Sequence, residues 1–449
     1  MHGEAQAWVP DVLFGWNPMI VATAILVATY AVIMSEKINR AIVALVGAGM
    51  MIMVGVLNQQ AAIRGVDFNT IALLTGMMII VAITRKSGVF QFVAIWTAKK
   101  VKADPAGILF MLQVVTAVFS ALLDNVTTVL LVVPVTLVIT EELKVKPWPY
   151  LVALIFSSNI GGTATLIGDP PNILIGSATG LTFNQFVVNL GPVALACLVV
   201  TTIIFHLMWG RRLHATAEAR ARVMGFNEKE AITDWRLLKQ SLFVLALVIA
   251  GFIMAHSIHQ EPGTIAMFGA ALLMLLHNLG KDAEEQSHDV HHTFGEVEWV
   301  TIFFFVGLFM VVYGVEQAGL LHLLAEMLVN ATGGDMAVTA IAILWASAIL
   351  SAVVDNIPFV ATMIPLIKSM APTFGGPENL EPLWWALAMG ACLGGNGTLV
   401  GASANLTVAG LAERAGHPVR FVPFMKVAFG MMLLTIVIAH VYLYLRYLV

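Results

Sequence analysis

Ser120-Ala121-Leu122-Leu123-Asp124-Asn125, followed by Val129 and Pro134, recurs as Ser351-Ala352-Val353-Val354-Asp355-Asn356, followed by Val360 and Pro365, every position 231 residues further on. Downstream, Gly161-Gly162, Thr165-Leu166, Gly168 and Asn172 recur as Gly394-Gly395, Thr398-Leu399, Gly401 and Asn405, now 233 residues on. Upstream, Thr70-Ile71, Gly76 and Gly88 answer to Thr301-Ile302, Gly307 and Gly319, again at 231. Three matches in one order at a nearly constant offset read as an internal duplication of roughly 190 to 210 residues. Residues 1–209 then form a first repeat, 210–238 a cytoplasmic linker and 239–449 a second repeat.

The residues between these motifs set the solvent. Of 449 residues 59% are hydrophobic and 11% charged, and the mean hydropathy is +0.89. That is more apolar matter than one soluble core hides. Apolar windows cover 18–34, 40–57, 68–84, 188–209, 239–256, 262–278, 299–315 and 421–445. Each approaches the roughly 20 residues of a membrane helix. They are continuous rather than alternating, so an all-α polytopic membrane protein is expected, not a barrel. The first 17 residues hold Glu4 and Asp11 but no Lys or Arg, unlike the basic start of a signal peptide. Cys197 and Cys392 both lie in apolar segments, which speaks against a disulfide framework or a Cys-rich metal site. A formal net charge of -4 without a basic patch argues against nucleic acid. No GxxxxGK[ST] pattern is present, so ATP hydrolysis within this chain is not expected. No nucleophile–base pair can be placed, and no enzyme or cofactor is expected.

The basic residues orient the chain, because cytoplasmic loops carry an excess of Lys and Arg. Let residues 1–17 lie outside, let 106–140 form a re-entrant hairpin, and let 148–180 be a broken segment that crosses once. Each half then crosses an odd number of times, and the second is inserted upside down. Lys37, Arg40, Arg85, Lys86, Lys99, Lys100, Lys102, Lys144, Lys146, Arg211, Arg212, the rest of the linker, Lys281, Arg414, Arg420 and Lys426 fall inside. Only Arg64, Lys368 and Arg446 of the 23 fall outside. The expected fold is therefore two inverted-topology repeats, each with a re-entrant hairpin and a broken helix, in the cell inner membrane with both termini outside. Such repeats place a site between them near the midplane.

Asp124-Asn125 and Asp355-Asn356 sit where apolar runs reverse. An ionised carboxylate at mid-membrane costs at least ~2.5 kcal/mol without partners or water. Capping of the returning half-helix is the main role expected of Asp124 and Asp355. Asn125 and Asn356 are candidate solute contacts, since an amide offers a donor and an acceptor without a charge. Gly161-Gly162-Thr163-Ala164-Thr165 and Gly394-Gly395-Asn396-Gly397-Thr398 are expected helix breaks, with Thr165, Asn172, Thr398 and Asn405 as further solute contacts. Gly168-Asp169-Pro170-Pro171-Asn172 aligns with Gly401-Ala402-Ser403-Ala404-Asn405, so Asp169 has no counterpart. It is the foremost candidate proton or cation carrier, with Asp124 or Asp355 beside it. His288, His291 and His292, in the polar stretch 280–298, lack fixed metal-ligand spacing and read as an inner loop.

Leu123-Asp124-Asn125-Val126-Thr127-Thr128, Asn159-Ile160-Gly161-Gly162 and Ile167-Gly168-Asp169-Pro170-Pro171-Asn172 resemble the ArsB/P-protein permeases of the ion-transporter superfamily. The resemblance covers essentially the whole chain. It implies inverted repeats with a hairpin and a broken helix in each half. Bacterial arsenite permeases read Asn-Asp where this chain has Asp124-Asn125 and lack the Gly-Asp-Pro-Pro-Asn run, so in both motifs this chain is closer to the P-protein branch. The resemblance implies proton-coupled efflux of arsenite or antimonite, with Asn and Thr groups contacting the solute. A sodium/proton antiporter on the same carboxylates and a P-protein-like anion conductance are the alternatives. No Arg or Lys falls in either expected site, which disfavours a dicarboxylate. A homodimer and a separate ATPase partner at the linker stay open.

Overall fold

The computed structural model describes residues 8–35 and 37–449, so the reading of Glu4 lies outside the described residues. Every regular element among them is helical. The first half runs α1 (Pro18–Met34), α2 (Arg40–Met53), α3 (Gln59–Gly65), α4 (Phe68–Lys86) and α5 (Val89–Lys100). It continues with α6 (Pro105–Leu122), α7 (Asn125–Glu142), α8 (Trp148–Thr163), α9 (Pro170–Thr179) and α10 (Phe183–Met208). A short α11 (Ala217–Met224) follows. The second half runs α12 (Trp235–Ile258), α13 (Pro262–Asn278), α14 (Ala283–Gly295), α15 (Trp299–Gln317) and α16 (Leu320–Ala331). It ends with α17 (Met336–Val353), α18 (Asn356–Lys368), α19 (Glu381–Gly394), α20 (Ser403–Arg414) and α21 (Phe421–Leu443). Among the described residues eight helices are long and apolar enough to cross a membrane.

The element order repeats as the motifs do. Helices α4, α5, α6 and α7 start at 68, 89, 105 and 125, and α15 to α18 start at 299, 320, 336 and 356, each 231 later. Their packing repeats too, with the halves exchanged. α4 lies on α13 while α15 lies on α2; α7 lies on α20 while α18 lies on α9. α8 and α19, almost wholly buried, meet each other at the centre.

Small residues set these contacts. A β-carbon on Gly76 would stand 2.6 Å from the Ala266 backbone, and one on Gly307 the same distance from the Ala44 backbone. Gly88 and Gly319 start α5 and α16 with φ of 79° and 88°, the left-handed region that favours glycine. Gly76→Val or Gly307→Val is therefore expected to lower stability by about 1–3 kcal/mol, because rigid backbone has to yield. Thermal unfolding of the purified protein checks this. Gly49→Ala, inside α2 and with nothing within 4 Å of its added β-carbon, should hold or raise the midpoint.

Two expectations are corrected, and the segment expected to link the halves is itself folded. The apolar window 40–57 ends as a helix at Met53, where Val54 and Gly55 turn and pair their carbonyls with Leu13 N and Asp11 N. The stretch 280–298 is no loop: Asp282 caps α14 by accepting from Glu284 N and Glu285 N. Among the described residues no group of three His, Cys, Asp or Glu could hold a metal there. The segment 210–238 is folded and docked, and α12 already begins at Trp235 within it. Arg220 donates to the Lys102 carbonyl, Arg222 pairs with Glu142 at 2.9 Å and Lys99 pairs with Glu228 at 2.5 Å. Hydrogen bonding from Lys99 holds Glu228 below its ordinary carboxylate range. The same surface carries the Arg85–Glu296 and Lys281–Asp289 pairs.

Candidate functional site

The two hairpin tips are built alike. Asp124 caps α7: one carboxylate oxygen accepts from Thr127 N at 2.8 Å and the other from the Thr127 hydroxyl. Asp355 caps α18, accepting from Ile357 N at 3.1 Å. The first tip reaches the break between α8 and α9, where Asn125 N donates to the Gly168 carbonyl at 3.1 Å.

Each break lies a few residues after its glycine pair. Gly161 and Gly162 are still inside α8, and Gly394 is the last residue of α19 with Gly395 entering a short 3-10 turn. They serve close approach: added β-carbons would stand 2.3 Å and 2.5 Å from the carbonyl oxygens of Ala117 and Ala348 for Gly161 and Gly394. For Gly162 and Gly395 the obstacle is the Gly168 or Gly401 carbonyl across the break. The freed carbonyls are met by side chains. Asn172 donates its amide to Thr163 O at 3.1 Å and Thr165 O at 2.9 Å. Asn405 donates to Gly395 O at 2.7 Å and Thr398 O at 2.8 Å. Thr165 and Thr398 each donate at 2.6 Å to a hairpin carbonyl, Ala121 or Ala352. These four expected solute contacts hold the broken backbone together, and their donors are occupied.

Groups with unused capacity lie elsewhere. Asn159 donates to Asn396 Oδ1 at 3.0 Å and Asn405 Oδ1 at 2.9 Å, and accepts from Asn125 at 3.2 Å. Asn356 donates to Asp169 Oδ1 at 3.3 Å, so the second tip touches the first break. Asp169 is 1% exposed and Asn125 2% exposed. Asp169 Oδ2, Asn125 Oδ1 and Asn396 Nδ2 find no hydrogen-bond partner among the described residues. Buried polar atoms are seldom left so. Asp124, Asn125, Asp169 and Asn356 line one cleft of about 20 Å³, space for about one water.

Arg40 and Glu298, at the first turns of α2 and α15, complete the wall. Arg40 Nη1 pairs with Asp355 Oδ2 at 2.9 Å. The expectation that no cation enters the site is thus corrected. Arg40 opens a helix whose first turn faces inward, so a residue that reads as a loop charge stands at the cleft. Glu298 was legible through the duplication, since it answers to Asp67 at 231 and both precede the repeated Thr70 and Thr301. Beyond Arg40 the cleft meets a wider vestibule of about 390 Å³, walled by Met34, Ile38, Asn39, Asp355, Ser403 and Thr407 among others. Among the described residues four carboxylates, Asp124, Asp169, Glu298 and Asp355, thus face one guanidinium. The arrangement suits protons, cations or hydroxyl donors and repels free anions.

Comparison with known proteins agrees with the helical plan. A model of the citrate transporter family, CitMHS, matches residues 30–390. An uncharacterized transporter of Mycobacterium tuberculosis is 41% identical over 434 residues, covering 96% of this chain and 99% of that protein. The P protein of Homo sapiens is 32% identical over 506 aligned positions, covering 94% of this chain but 59% of its own length. The crystal structure of the YdaH transporter of Alcanivorax borkumensis superposes with a TM-score of 0.60 at 13% identity, over 96% of this chain and 99% of that one. That likeness is one of fold. The P-protein side of the resemblance stands, and the protein is a membrane transporter and not an enzyme. By the extent of the family match, this chain belongs to the citrate transporter (CitMHS) family.

Proposed function

We propose that the chain exports a small neutral hydroxide, arsenite or antimonite, in exchange for protons, from a site shared by two inverted halves, 1–209 and 239–449. The observation that carries this reading is Asp169: a wholly buried carboxylate with one free oxygen, at a helix break, touched by the tip of the other half. Such a group calls for a proton, a cation or a hydroxyl donor. Near neutral pH arsenite is an uncharged trihydroxide, and its hydroxyls match the free acceptors Asp169 Oδ2 and Asn125 Oδ1. The vestibule has room for the whole solute, whereas the cleft takes one hydroxyl or one ion. The excess of carboxylates over the already paired Arg40 weighs against free citrate and against an anion conductance. Sodium/proton antiport is the second reading, favoured by the same two oxygens, which are hard-cation ligands.

The ion-paired surface that gathers Lys99, Arg85, Arg222 and Lys281 supports a cytoplasmic assignment for that face under the positive-inside rule. Both termini are then periplasmic and the membrane is the inner one. The vestibule wall includes Ile38 and Asn39, next to Lys37, which the positive-inside rule assigns to that face.

Purified protein in liposomes with an acid interior and a pH-sensitive dye tests the proposal. Arsenite should accumulate inside while protons leave, and citrate should evoke no proton movement. Proton release evoked by sodium alone would transfer the assignment to the second reading. Arsenite flux indifferent to the pH gradient would defeat the first.

A further inference from the structure

Arg40 joins elements from different halves at the one place where the two cavities meet. Its Nη1 is 2.9 Å from Asp355 Oδ2 on the second hairpin tip and 2.6 Å from Ser403 Oγ at the start of α20. Nη2 reaches Thr301 Oγ1 at 3.5 Å, and Thr301 donates to Glu298 Oε2 at 3.1 Å. The guanidinium carbon stands 4.9 Å from the centre of the Phe304 ring, a cation–π contact that fixes the stem against α15. Arg40 and Glu298 both line the inner cleft and the vestibule, so the guanidinium stands in the passage between them. The duplication has no second copy of it. Gly47 and Gly269 pack against Val311 and Ile80, themselves 231 apart, which makes α2 and α13 counterparts. Where α2 begins with Arg40, α13 begins with Pro262.

We propose that the Arg40–Asp355 pair is the latch of the passage between vestibule and inner cleft, released when the guanidinium leaves Asp355 for Glu298. The proposal rests on the reading of the cleft as the transport site. Breaking a partly buried ion pair is strongly unfavourable when it strands a charge. Here a second carboxylate is one hydroxyl away. On release the guanidinium turns to Glu298 along the Thr301 path, and the tip and α20 come free of α2. The Asp355 cap on α18 uses the other carboxylate oxygen and survives the change. Among the described residues the charged groups facing the guanidinium are Asp355 from the tip, Glu298 from the start of α15, Asp124 from the first hairpin and Asp169 from the α8–α9 break. Ser403 and Thr301 are neutral, and no Lys or second Arg lines either cavity.

The test places a cysteine beyond the latch. Met78 lines the inner cleft but not the vestibule, and both native cysteines are wholly buried. Met78→Cys in the full-length chain, reconstituted in liposomes, is labelled with a small charged methanethiosulfonate, and rates are corrected for thiol ionisation with a free-thiol standard. Labelling is expected to quicken at least about tenfold when Asp355→Asn or Arg40→Gln removes the pair, and Arg40→Lys should keep it slow. An unchanged labelling rate in both Asp355→Asn and Arg40→Gln overturns the latch. The readout needs no transported solute. Should the liposomes carry neither arsenite nor sodium flux while the pair still controls labelling, the latch stands and the transport assignment falls.

Discussion

Asp169→Asn should leave the protein folded and abolish arsenite accumulation driven by a pH gradient, while exchange at equal pH persists. The amide has the same shape and can still accept from Asn356, whose bond to Asp169 Oδ1 ties the second hairpin tip to the first break. It cannot carry a proton. The substitution also removes a charge whose cost at mid-membrane is at least ~2.5 kcal/mol when ionised, so thermal stability should hold or rise. The expected loss of gradient-driven flux is at least about a hundredfold, since general proton transfer by one positioned group contributes on that scale. A variant that still accumulates arsenite against a pH gradient would remove Asp169 from the coupling step. Asp124 and Asp355 serve as comparisons, because both cap helices. Substitution there should change stability by about 1 kcal/mol as well as transport, unlike at Asp169, which makes no cap bond.

Asn159→Ala is the largest structural effect expected. Asn159 is fully buried and holds three other asparagines: it accepts from Asn125 and donates to Asn396 and Asn405. Two of these belong to the other half, so the amide network spans the interface. Interhelical hydrogen bonds in membranes average about 0.6 kcal/mol, which sets a floor near 2 kcal/mol for three of them. Leaving buried partners unsatisfied adds to that, for a total of about 2–5 kcal/mol. The measurement is a thermal midpoint in detergent, with Asn159→Asp as companion, which keeps the acceptor for Asn125 but loses the donors. A shift below about 1 kcal/mol for Asn159→Ala would show that solvent or rearrangement satisfies the network.

The duplication was legible because an inserted copy keeps its spacing. The offset of 231 located hairpins at 106–140 and its counterpart, and helices α6, α7, α17 and α18 start within a residue or two of where the Asp-Asn motifs put them. Asp169 was conspicuous for a similar reason, as the acid facing Ala402 in the aligned copy. What could not be read was pairing across the halves. Arg40 is 315 residues from Asp355, and a basic residue beside Lys37 at the head of an apolar run reads as a loop charge. Asn172 and Asn405 read as solute contacts because a free amide and one bonded to carbonyls seven to ten residues back have the same letter. The glycine pairs marked close approach to Ala117 and Ala348, and the breaks themselves fall just beyond, where Pro170 and Pro171 or the Gly397-Thr398 turn interrupt the helix. The polar helix α14 escaped notice since it lacks an apolar stripe and is held by its Asp282 cap and by the pairing of Arg85 with Glu296.

Coupling at Asp169 implies that binding itself moves a proton. Titrating detergent-purified protein with arsenite by calorimetry, in two buffers of different ionisation enthalpy, counts the protons exchanged per solute bound. The account predicts a difference between buffers for the native chain near neutral pH and none for Asp169→Asn. Equal heats in both buffers for the native chain, or an undiminished difference in the variant, would contradict it.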